Sequence, residues 1–584
     1  MPPCCLIMKR TSHYLALFLL AMLLGACLGQ SATPAGTPLS PTTTAPPSAT
    51  ATPAVSPTLT PLPPVAVQPV EGLPTGTDGF PWWNDTVFYE VFVRSFADSN
   101  GDGVGDFNGL TAKLDYLNDG DPQTDTDLGV TGLWLMPIHP AMSYHGYNVT
   151  DYYQINSQYG TLDDFKRFLA EAHQRGIRLL IDWVPNHTSD AHPWFLAALD
   201  PQSEYHDWYV WSDKPHGNAW YRAPNGQYYY GFFYSGMPDL NYTNPAVTAQ
   251  MRDVARFWLQ DAGVDGFRID AIKYLSEADR SEHSQATHAW LKDFRPFYKA
   301  LNPQALTVGE VWDSSGLVAD YTAGGDELDL GFDFDLARAT VFAVGARRNT
   351  LFNETLARDL AVFPHQQMAI FLTNHDQDRV MSMLGDDVPR AKLAATLLLT
   401  APGVPFLYYG EEIGMLGKKP DENIRTPMQW SAEAQGGFTT SNFPWHGLNN
   451  DYASKNVAAQ QANPDSLWAT YRNLIRLRAE HAALRVGETY VLDVGKSDTL
   501  VAMLRATDDE AVLIVVNLGK EAITNYALTL DNGPLSGQYQ IAPLLGAGDF
   551  TAPTVTASGG FTDYQPAPEL PATSAFIVQF QLKP

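Results

Sequence analysis

Four apolar segments of this chain each end at a carboxylate, an arrangement suited to acid–base or nucleophilic chemistry on a polar substrate. The four acids are Asp182, Asp270, Glu310 and Asp376, and the polar residues beside them in the sequence are Asn186, His187, Arg268 and His375. Continuous Val, Ile and Leu runs are typical of strands that are buried on both faces. Acids at the C-terminal ends of such strands are where α/β barrels place their active sites. We therefore expect these side chains to meet at one end of a barrel.

The elements that must position these acids alternate between strand-like and helix-like segments, from about residue 82 to about residue 482. Amphipathic stretches such as 162–174, 248–262 and 391–399 separate the strand-like ones. The predicted strands are 87–96, 132–137, 177–182, 263–270, 306–310, 328–335, 368–373 and 404–409. Eight strands alternating with helices predict an α/β fold, a (β/α)8 TIM barrel, over residues 78–483.

Two further regions depart from this alternation. About eighty residues, many of them aromatic, separate the third predicted strand from the fourth, which is too long for a structureless loop. We expect a small inserted domain at about 187–245. After residue 483 short β-rich runs are separated by turn signals, so residues 484–584 predict an antiparallel β-sandwich. The strands expected there are 489–493, 499–505, 511–516, 526–530 and 575–582.

The N-terminus has the pattern of a targeting segment. Lys9 and Arg10 precede an apolar run, and Cys27 follows two small residues. This ending resembles the bacterial lipobox, so residues 1–27 predict a lipoprotein-type signal peptide in which Cys27 is lipidated; the alternative is an ordinary signal peptide. Residues 28–77, rich in Pro and Thr, predict a disordered linker. We expect a secreted, cell-surface lipoprotein that meets the membrane only through its anchor.

The overall composition excludes some classes of function. The 584 residues carry a net charge of −27, which argues against nucleic acid as a partner. The three cysteines all lie within the first 27 residues, so the rest of the chain can hold neither a disulfide nor a Cys-based metal site. Aromatic residues make up 12% of the chain, a content compatible with stacking against sugar rings.

The segments around the four acids resemble, in order, the signature regions of the α-amylase family of glycoside hydrolases. The matching segments are 182–187, 266–274, 309–312 and 373–379, with two further ones at 237–241 and 408–414. The resemblance spans about 82–430. It implies a TIM barrel with an inserted domain after the third strand and a C-terminal β-sandwich. The implied substrate is an α-glucan or maltooligosaccharide.

The resemblance also implies roles for the acids. A retaining glycosidase uses one carboxylate as nucleophile and a second carboxyl group as acid and base. By position, Asp270 would be the nucleophile, Glu310 the acid/base, and Asp376 a ligand of sugar hydroxyls in the transition state. Arg268 shares a strand face with Asp270, and we expect its charge to keep Asp270 ionised. Glu310 must be protonated to act as the acid, so we expect its site to raise its pKa.

Five other residues are expected to bind the substrate. In the family, the aromatic residue at the position of Tyr147 stacks on the sugar in subsite −1, which precedes the cleaved bond. His187 and His375 would donate hydrogen bonds to that sugar. Lys273 and Arg425 complete the implied substrate-binding set.

An acidic loop after the first strand implies a Ca²⁺ cofactor. In oligosaccharide-acting relatives the same segment binds Ca²⁺ through alternating acidic side chains separated by glycines. The implied ligands are Asp98, Asn100, Asp102, Asp106 and the carbonyl of Val104.

The specific activity leaves alternatives. We expect a monomeric, extracellular hydrolase that cuts α-1,4-glucosidic bonds in starch and maltooligosaccharides. One alternative is an exo-acting α-glucosidase or oligo-1,6-glucosidase, or a transglycosylase such as a trehalose-forming isomerase. Exo-acting relatives tend to have Asp where this chain has Asn148, which would leave Arg425 without its partner. The alternative of another class is a non-catalytic carbohydrate-binding lipoprotein, although such relatives usually lack one of the three acids.

Overall fold

The structure, a computed structural model, describes residues 72–276 and 282–583. The signal peptide, Cys27 and most of the predicted linker therefore lie outside the described residues. Eight parallel strands close into a barrel in sequence order, and the last pairs with the first. The strands are β1 (Phe88–Val91), β2 (Gly132–Leu135), β3 (Arg178–Trp183), β4 (Gly266–Ile269), β5 (Leu306–Gly309), β6 (Leu330–Phe332), β7 (Met368–Phe371) and β8 (Val404–Tyr408). The TIM barrel expected from the sequence is confirmed.

The strands are shorter than predicted, and the prediction for the first strand is wrong in its second half. Residues 87–96 were expected to form one strand, but β1 ends at Val91 and a short helix follows over Val93–Phe96. An apolar run alone does not distinguish a strand from a buried helical turn.

Helices surround the barrel, and local signals fix their ends where capping residues are present. The helix Leu162–Gln174 begins at a capping box, in which Thr161 and Asp164 exchange side-chain and backbone hydrogen bonds. Its bounds match the predicted amphipathic stretch. The described α-helices are Val93–Phe96, Phe107–Thr111, Leu114–Leu117, Leu162–Gln174, Pro193–Ala198, Pro245–Arg256, Gln285–Leu301, Ser315–Asp320, Phe334–Ala346, Thr350–Val362, Val380–Met383, Val388–Thr400, Asp421–Ile424, Val457–Gln461, Leu467–Glu480 and Ala482–Val486, and a π-helical turn covers Phe257–Ala262.

Large side chains fill the inside of the barrel. Phe88 and Phe406 stack with ring centroids 4.5 Å apart, and Trp134, Phe332 and Phe371 belong to the same buried cluster. A TIM barrel filled in this way is a packed core and not a channel. A substrate can therefore bind only at the end of the barrel, where the loops leave the strands.

Between β3 and β4 the chain forms a separate small structure. Three short antiparallel strands, Trp211–Ser212, Trp220–Arg222 and Tyr228–Tyr230, make a sheet of their own. The backbone N–H of Leu240 donates to the Asn186 carbonyl at 2.9 Å, which ties this segment to the end of β3. His187 also forms an antiparallel bridge with Asp239, so the segment lies at the carboxyl end of β3.

The C-terminal region is antiparallel throughout. Its strands are β9 (Glu488–Val491), β10 (Leu500–Ala506), β11 (Ala511–Asn517), β12 (Leu528–Leu530), β13 (Tyr539–Leu545), β14 (Phe561–Tyr564) and β15 (Ser574–Leu582). The main sheet has the order β9-β10-β11-β15-β13, and β12 pairs with β14. The sequence missed β13 and β14. Within the described residues, no helix is long and apolar enough to span a membrane.

Candidate active site

The three expected acids line one pocket at the carboxyl ends of the barrel strands. Asp270 follows β4, Glu310 follows β5, and Asp376 lies beyond the end of β7. The pocket has a volume of about 250 Å³ and is lined by His145, Tyr147, His187, Phe233, Tyr234, Met237, Asp270, Glu310, Asp376, Asp421 and Arg425. Residues far apart in the sequence therefore converge as predicted.

Arg268 is the electrostatic centre of the site. Its guanidinium is fully buried, and one nitrogen lies 2.7 Å from Asp182 Oδ1 and 2.7 Å from Asp270 Oδ1. The other terminal nitrogen lies 2.9 Å from Glu310 Oε2. One cation thus orients three carboxylates, because the planar guanidinium presents several donors in a fixed geometry. Asp182 orients Arg268 and does not line the pocket.

Arg268 does not by itself keep Asp270 ionised, contrary to the expectation from sequence. Burial raises the pKa of Asp270 well above its usual range, and the nearby Glu310 charge adds to this, while Arg268 acts in the opposite direction. The Arg268 charge is divided among three acids. The contact with Arg268 is the interaction that favours the carboxylate form of Asp270.

Asp376 is held as a carboxylate. Arg425 Nη2 lies 2.8 Å from its Oδ1, and His375 Nε2 lies 3.2 Å from its Oδ2. Although burial acts against ionisation, His375 and Arg425 hold the pKa of Asp376 well below its usual range. Asp376 therefore offers the pocket a permanent negative charge.

Arg425 is not left without a partner, which corrects the expectation drawn from Asn148. Besides Asp376, its Nη2 lies 3.3 Å from Asp421 Oδ2, and its Nε donates to the His375 carbonyl at 2.9 Å. Asn148 does not line the pocket. Its Oδ1 accepts from the backbone N–H of Ser143 at 3.1 Å and thus shapes the adjacent loop.

Tyr147 and His187 form one wall of the pocket, as expected. The Tyr147 hydroxyl donates to Asp182 Oδ2 at 2.9 Å, which leaves its ring as the surface that faces the pocket. His187 Nε2 lies 3.2 Å from the Tyr147 carbonyl, and its Nδ1 lies 3.4 Å from the Asn186 amide. Burial lowers the pKa of His187 to about 3, so its imidazole is neutral. To donate a hydrogen bond to a sugar, His187 would use the Nε2–H that is now directed at the Tyr147 carbonyl.

The structure places two expected substrate contacts away from the pocket wall. His375 is fully buried behind Tyr147 and Asp376. Its Nε2 lies within hydrogen-bond distance of the Tyr147 hydroxyl and of Asp376 Oδ2. Lys273 directs its ammonium at the Trp312 carbonyl at 3.0 Å and at Glu282 at 2.9 Å. As a substrate ligand, Lys273 would have to exchange one of these partners. Sequence spacing identified both residues but not the direction of their side chains.

The acidic loop after β1 has a donor set that fits Ca²⁺, since its five expected ligand atoms are all oxygens. Gly101 and Gly103 take φ values of +79° and +91°, which let the loop curl. Asp98 Oδ1 accepts the backbone N–H of Gly101 at 2.7 Å, and Asp106 Oδ1 accepts that of Gly109 at 2.7 Å. The expected ligands remain Asp98, Asn100, Asp102, Val104 and Asp106.

Three other side chains with possible metal-ligating atoms lie closer together than the expected ligands of the loop after β1. Within residues 72–276 and 282–583, the one set of three His, Asp or Glu side chains with ligand atoms inside 4.8 Å of one another is Glu282, His283 and Asp313. The Lys273 ammonium already contacts two of its members. The loop after β1 would have to tighten around an ion to bind it.

Sequence reasoning missed several residues at the pocket. Asp421 precedes Arg425 by four residues, a spacing that could have suggested the pair. Phe233 and Tyr234 are 43% and 40% exposed at the rim, and only their place in the aromatic insertion pointed to them. Glu90 lies behind the pocket on β1 and gave no signal, because its partner His375 is 285 positions away.

Together the groups at the pocket can protonate a leaving oxygen and present an anion to an electrophilic carbon. Asp270 and Glu310 are joined through Arg268, and Asp376 adds a fixed charge. Aromatic surfaces beside them are suited to the faces of sugar rings. No thiol and no nucleophilic Ser–His pair is part of the pocket lining.

Comparisons with known proteins agree with this chemistry. Residues 90–487 match the family model "Alpha amylase, catalytic domain". The chain is 40% identical to Alpha-amylase 3 of Dictyoglomus thermophilum over 454 residues, covering 75% of this chain and 86% of that protein. It is 36% identical to the trehalose synthase/amylase TreS of Mycolicibacterium smegmatis, over 77% of this chain and 85% of that protein.

Solved structures show the same likeness. An α-amylase from H. orenii superimposes with a TM-score of 0.73 at 39% identity, covering 85% of this chain and 99% of that one. The trehalulose synthase from Pseudomonas mesoacidophila MX-45 superimposes with a TM-score of 0.73 at 30% identity, covering 86% of this chain and all of that one. The similar proteins thus include both hydrolases and synthases.

Proposed function

Because the chain belongs to the α-amylase family of glycoside hydrolases, we propose that it cuts α-1,4-glucosidic bonds in starch and maltooligosaccharides with retention of configuration. The observation that carries this proposal is the shared contact of Arg268. Two nitrogens of one guanidinium contact Asp270 at 2.7 Å and Glu310 at 2.9 Å. Retaining enzymes place their two carboxyl groups about 5–5.5 Å apart, whereas inverting enzymes separate them further to admit a water, and contact with a single guanidinium favours the closer arrangement.

The reaction would proceed in two displacements. Asp270 attacks the anomeric carbon while Glu310 gives its proton to the departing oxygen, so that the glycosidic bond breaks and a glucosyl ester forms on Asp270. Glu310, now ionised, takes a proton from a water, and the water's oxygen attacks the same carbon. Asp270 leaves as a carboxylate, and Glu310 is protonated again. Asp270 must be ionised for the first step, and its contact with Arg268 favours that form.

Asp376 and Arg425 would bind the sugar next to the cleaved bond. The ionised Asp376 accepts hydrogen bonds from sugar hydroxyls and stabilises the positive charge that develops on the ring. Arg425 contacts both Asp376 and Asp421 and so joins two parts of the pocket wall. Tyr147 offers its ring to the apolar face of the same sugar.

A second candidate function is supported by the Asp421–Arg425 pair. Exo-acting relatives tend to pair an acid with an Arg to cap the terminal glucose, and this chain has an acid–Arg pair in another position. Its relatives include TreS of Mycolicibacterium smegmatis and the glucan 1,6-α-glucosidase of Streptococcus pneumoniae, which is 33% identical. The second candidate is therefore exo-acting hydrolysis or glucosyl transfer from the Asp270 ester to a sugar hydroxyl. A non-catalytic binding protein remains the alternative of another class.

The remaining features are proposed on the sequence pattern. We propose that Cys27 carries a lipid and that residues 28–77 hold a monomeric catalytic region off the membrane. We propose the domain division 1–27, 28–77, 78–483 with the insertion at about 187–245, and 484–584. Ca²⁺, bound by the loop that begins at Asp98, would brace the segment between the helices Val93–Phe96 and Phe107–Thr111.

A timed product analysis on soluble starch and maltoheptaose tests the proposal. Wild type is compared with Asp270→Asn and with Asp261→Asn, a matched change at an exposed acid outside the pocket, all with Ca²⁺ supplied. Early mixed oligosaccharides from wild type and Asp261→Asn, and none from Asp270→Asn, support an endo-acting hydrolase. Glucose or an isomerised disaccharide alone supports the second candidate. No turnover by wild type on 1,4- or 1,6-linked substrates contradicts both and favours the binding protein.

A further inference from the structure

A buried carboxylate on β1 lies directly behind the catalytic acids. Glu90 is 2% exposed, and its Oε1 lies 2.5 Å from Nδ1 of His375. A charge is costly to bury unless it is paired. Within the described residues His375 is the side chain that pairs with Glu90, and it is fully buried. The two residues therefore stabilise each other as an ion pair in the barrel core.

The opposite edge of the His375 ring, which carries Nε2, points toward the pocket. Its Nε2 lies 2.7 Å from the Tyr147 hydroxyl and 3.2 Å from Asp376 Oδ2. The Tyr147 hydroxyl donates its own proton to Asp182, so it accepts a proton from His375. Both ring nitrogens thus face acceptors. An imidazole with acceptors on both sides is a donor at both nitrogens only when it is protonated.

We propose that Glu90 is a positioning residue, which keeps His375 a buried cation so that His375 holds Asp376 and Tyr147 in place for the reaction. Glu90 touches neither substrate nor reacting atoms and acts only through His375. The inference rests on the proposed function, since it assigns Asp376 and Tyr147 to substrate binding. It also explains why His375 lies behind the pocket wall: its contacts are to the groups that face the sugar.

The electrostatic surroundings of His375 agree with a lasting positive charge. Burial acts against the charge, but Asp376 and Glu90 together raise the pKa of His375 to about 10. The titratable and charged groups around it come from five neighbouring parts of the barrel. They are Glu90 on β1, Tyr147 and His145 after β2, Asp182 on β3, Asp376 beside it, and Arg425 after β8. The acids among them outnumber the cations.

The test is the pH dependence of kcat/KM for Glu90→Gln relative to wild type on maltoheptaose. Gln keeps the shape and an acceptor oxygen but removes the charge, so His375 should lose its proton at a lower pH. The matched control is Glu412→Gln, a fully buried Glu that accepts from the Tyr89 hydroxyl at 2.8 Å and lies outside the pocket lining.

The expected result is a ratio of variant to wild-type kcat/KM that falls about tenfold or more between pH 5 and pH 9, where wild-type His375 stays charged. The control ratio should stay flat over the same range. Using a ratio cancels the pH dependence of the groups that both enzymes share. A Glu90→Gln ratio that does not change with pH would overturn the proposal, whatever its absolute value, since a merely structural role has no such pH signature.

A double variant keeps the inference falsifiable if Glu90→Gln alone does not fold. Glu90→Gln combined with His375→Gln removes both buried charges at once, so neither is left unpaired. Once His375→Gln has removed the imidazole, the added change at Glu90 should alter kcat/KM by less than about twofold. A loss of about tenfold or more on adding Glu90→Gln to His375→Gln would contradict the proposal. Turnover by wild type is measured first, because its absence counts against the proposed function, whereas a flat ratio between active enzymes counts against Glu90 alone.

Discussion

Arg268 Nη1 lies 2.7 Å from Asp270 Oδ1, and the two residues are two positions apart in the sequence. The contact is possible because alternate residues of a strand point to the same side, and Asp270 directly follows β4. The same guanidinium reaches Glu310 at the end of the neighbouring β5. The nucleophile and the acid/base of the proposed reaction are thus positioned from one point of the barrel.

Replacing Glu310 by Gln should reduce turnover of maltoheptaose by about 10²–10⁴-fold, the usual contribution of a general acid. The loss should be much smaller for an aryl α-glucoside whose leaving group needs no proton. Steady-state kinetics on both substrates measure the difference. Equal losses on the two substrates would contradict the assignment of Glu310 as the acid.

Replacing Arg425 by Lys should raise KM and lower kcat, although charge is conserved. Arg425 uses separate nitrogens for Asp376 at 2.8 Å and for the His375 carbonyl at 2.9 Å, and one ammonium cannot reproduce that geometry. We expect a loss in kcat/KM of about tenfold or more, since each contact of this kind is worth about 1.5–3 kcal/mol. The matched control is Arg338→Lys at an exposed arginine. Wild-type kinetics for Arg425→Lys would show that Arg425 does not organise the pocket.

The fold was largely predictable from the sequence because its signals are local. Buried apolar runs identified all eight barrel strands, and the Thr161 capping box marks the start of the predicted helix at 162–174. The strand β13 escaped because it contains Pro543 and shows no clean alternation of buried and exposed residues. The strand β14 is only four residues long and follows two glycines.

The site was predictable in its acids but not in its charge balance. Asp270, Glu310 and Asp376 stand at strand ends and could be found by position. The Glu90–His375 pair joins β1 to the loop after β7, far away in the sequence, and the Asp421–Arg425 pair depends on how a loop folds back. The spacing of residues along the chain does not predict the direction of the Lys273 side chain. It also does not predict that three acids contact the same guanidinium.

Removing Ca²⁺ should lower the thermal unfolding midpoint of wild type if the loop after β1 binds the ion. A protein gains stability from any ligand that binds only its folded state. Thermal unfolding with and without a chelator, on wild type and Asp98→Asn, measures this effect. With Ca²⁺ present, the unfolding midpoint of Asp98→Asn should be lower than that of wild type, and the chelator should lower it by less. A chelator response equal in the two proteins would place the ion elsewhere.

Replacing Glu411 by Gln should stabilise the protein at alkaline pH and not near pH 4.5. Burial, with the nearby Glu412 charge adding, raises the pKa of Glu411 to about 8, and its Oε2 has no hydrogen-bond partner. Between about pH 4.5 and 8 the unfolded chain has lost this proton while the folded protein keeps it, so stability falls as pH rises.

Gln at position 411 removes that penalty and can still accept from Tyr471, whose hydroxyl lies 2.7 Å from Glu411 Oε1. Thermal unfolding at pH 5 and pH 9 should show a gain of about 2 °C or more at the higher pH only. The same gain at both pH values would mean that the effect is one of packing and not of the proton.

The most direct test of the proposed mechanism is the anomeric configuration of the first product, followed by proton NMR in the first minutes of maltoheptaose cleavage. Attack by Asp270 and then by water inverts the same carbon twice, so the account predicts that the α-anomer appears first and the β-anomer grows only by mutarotation. Initial release of the β-anomer would show a single displacement by water. Asp270 would then not be the nucleophile, and the pairing of Asp270 with Glu310 through Arg268 would need another explanation.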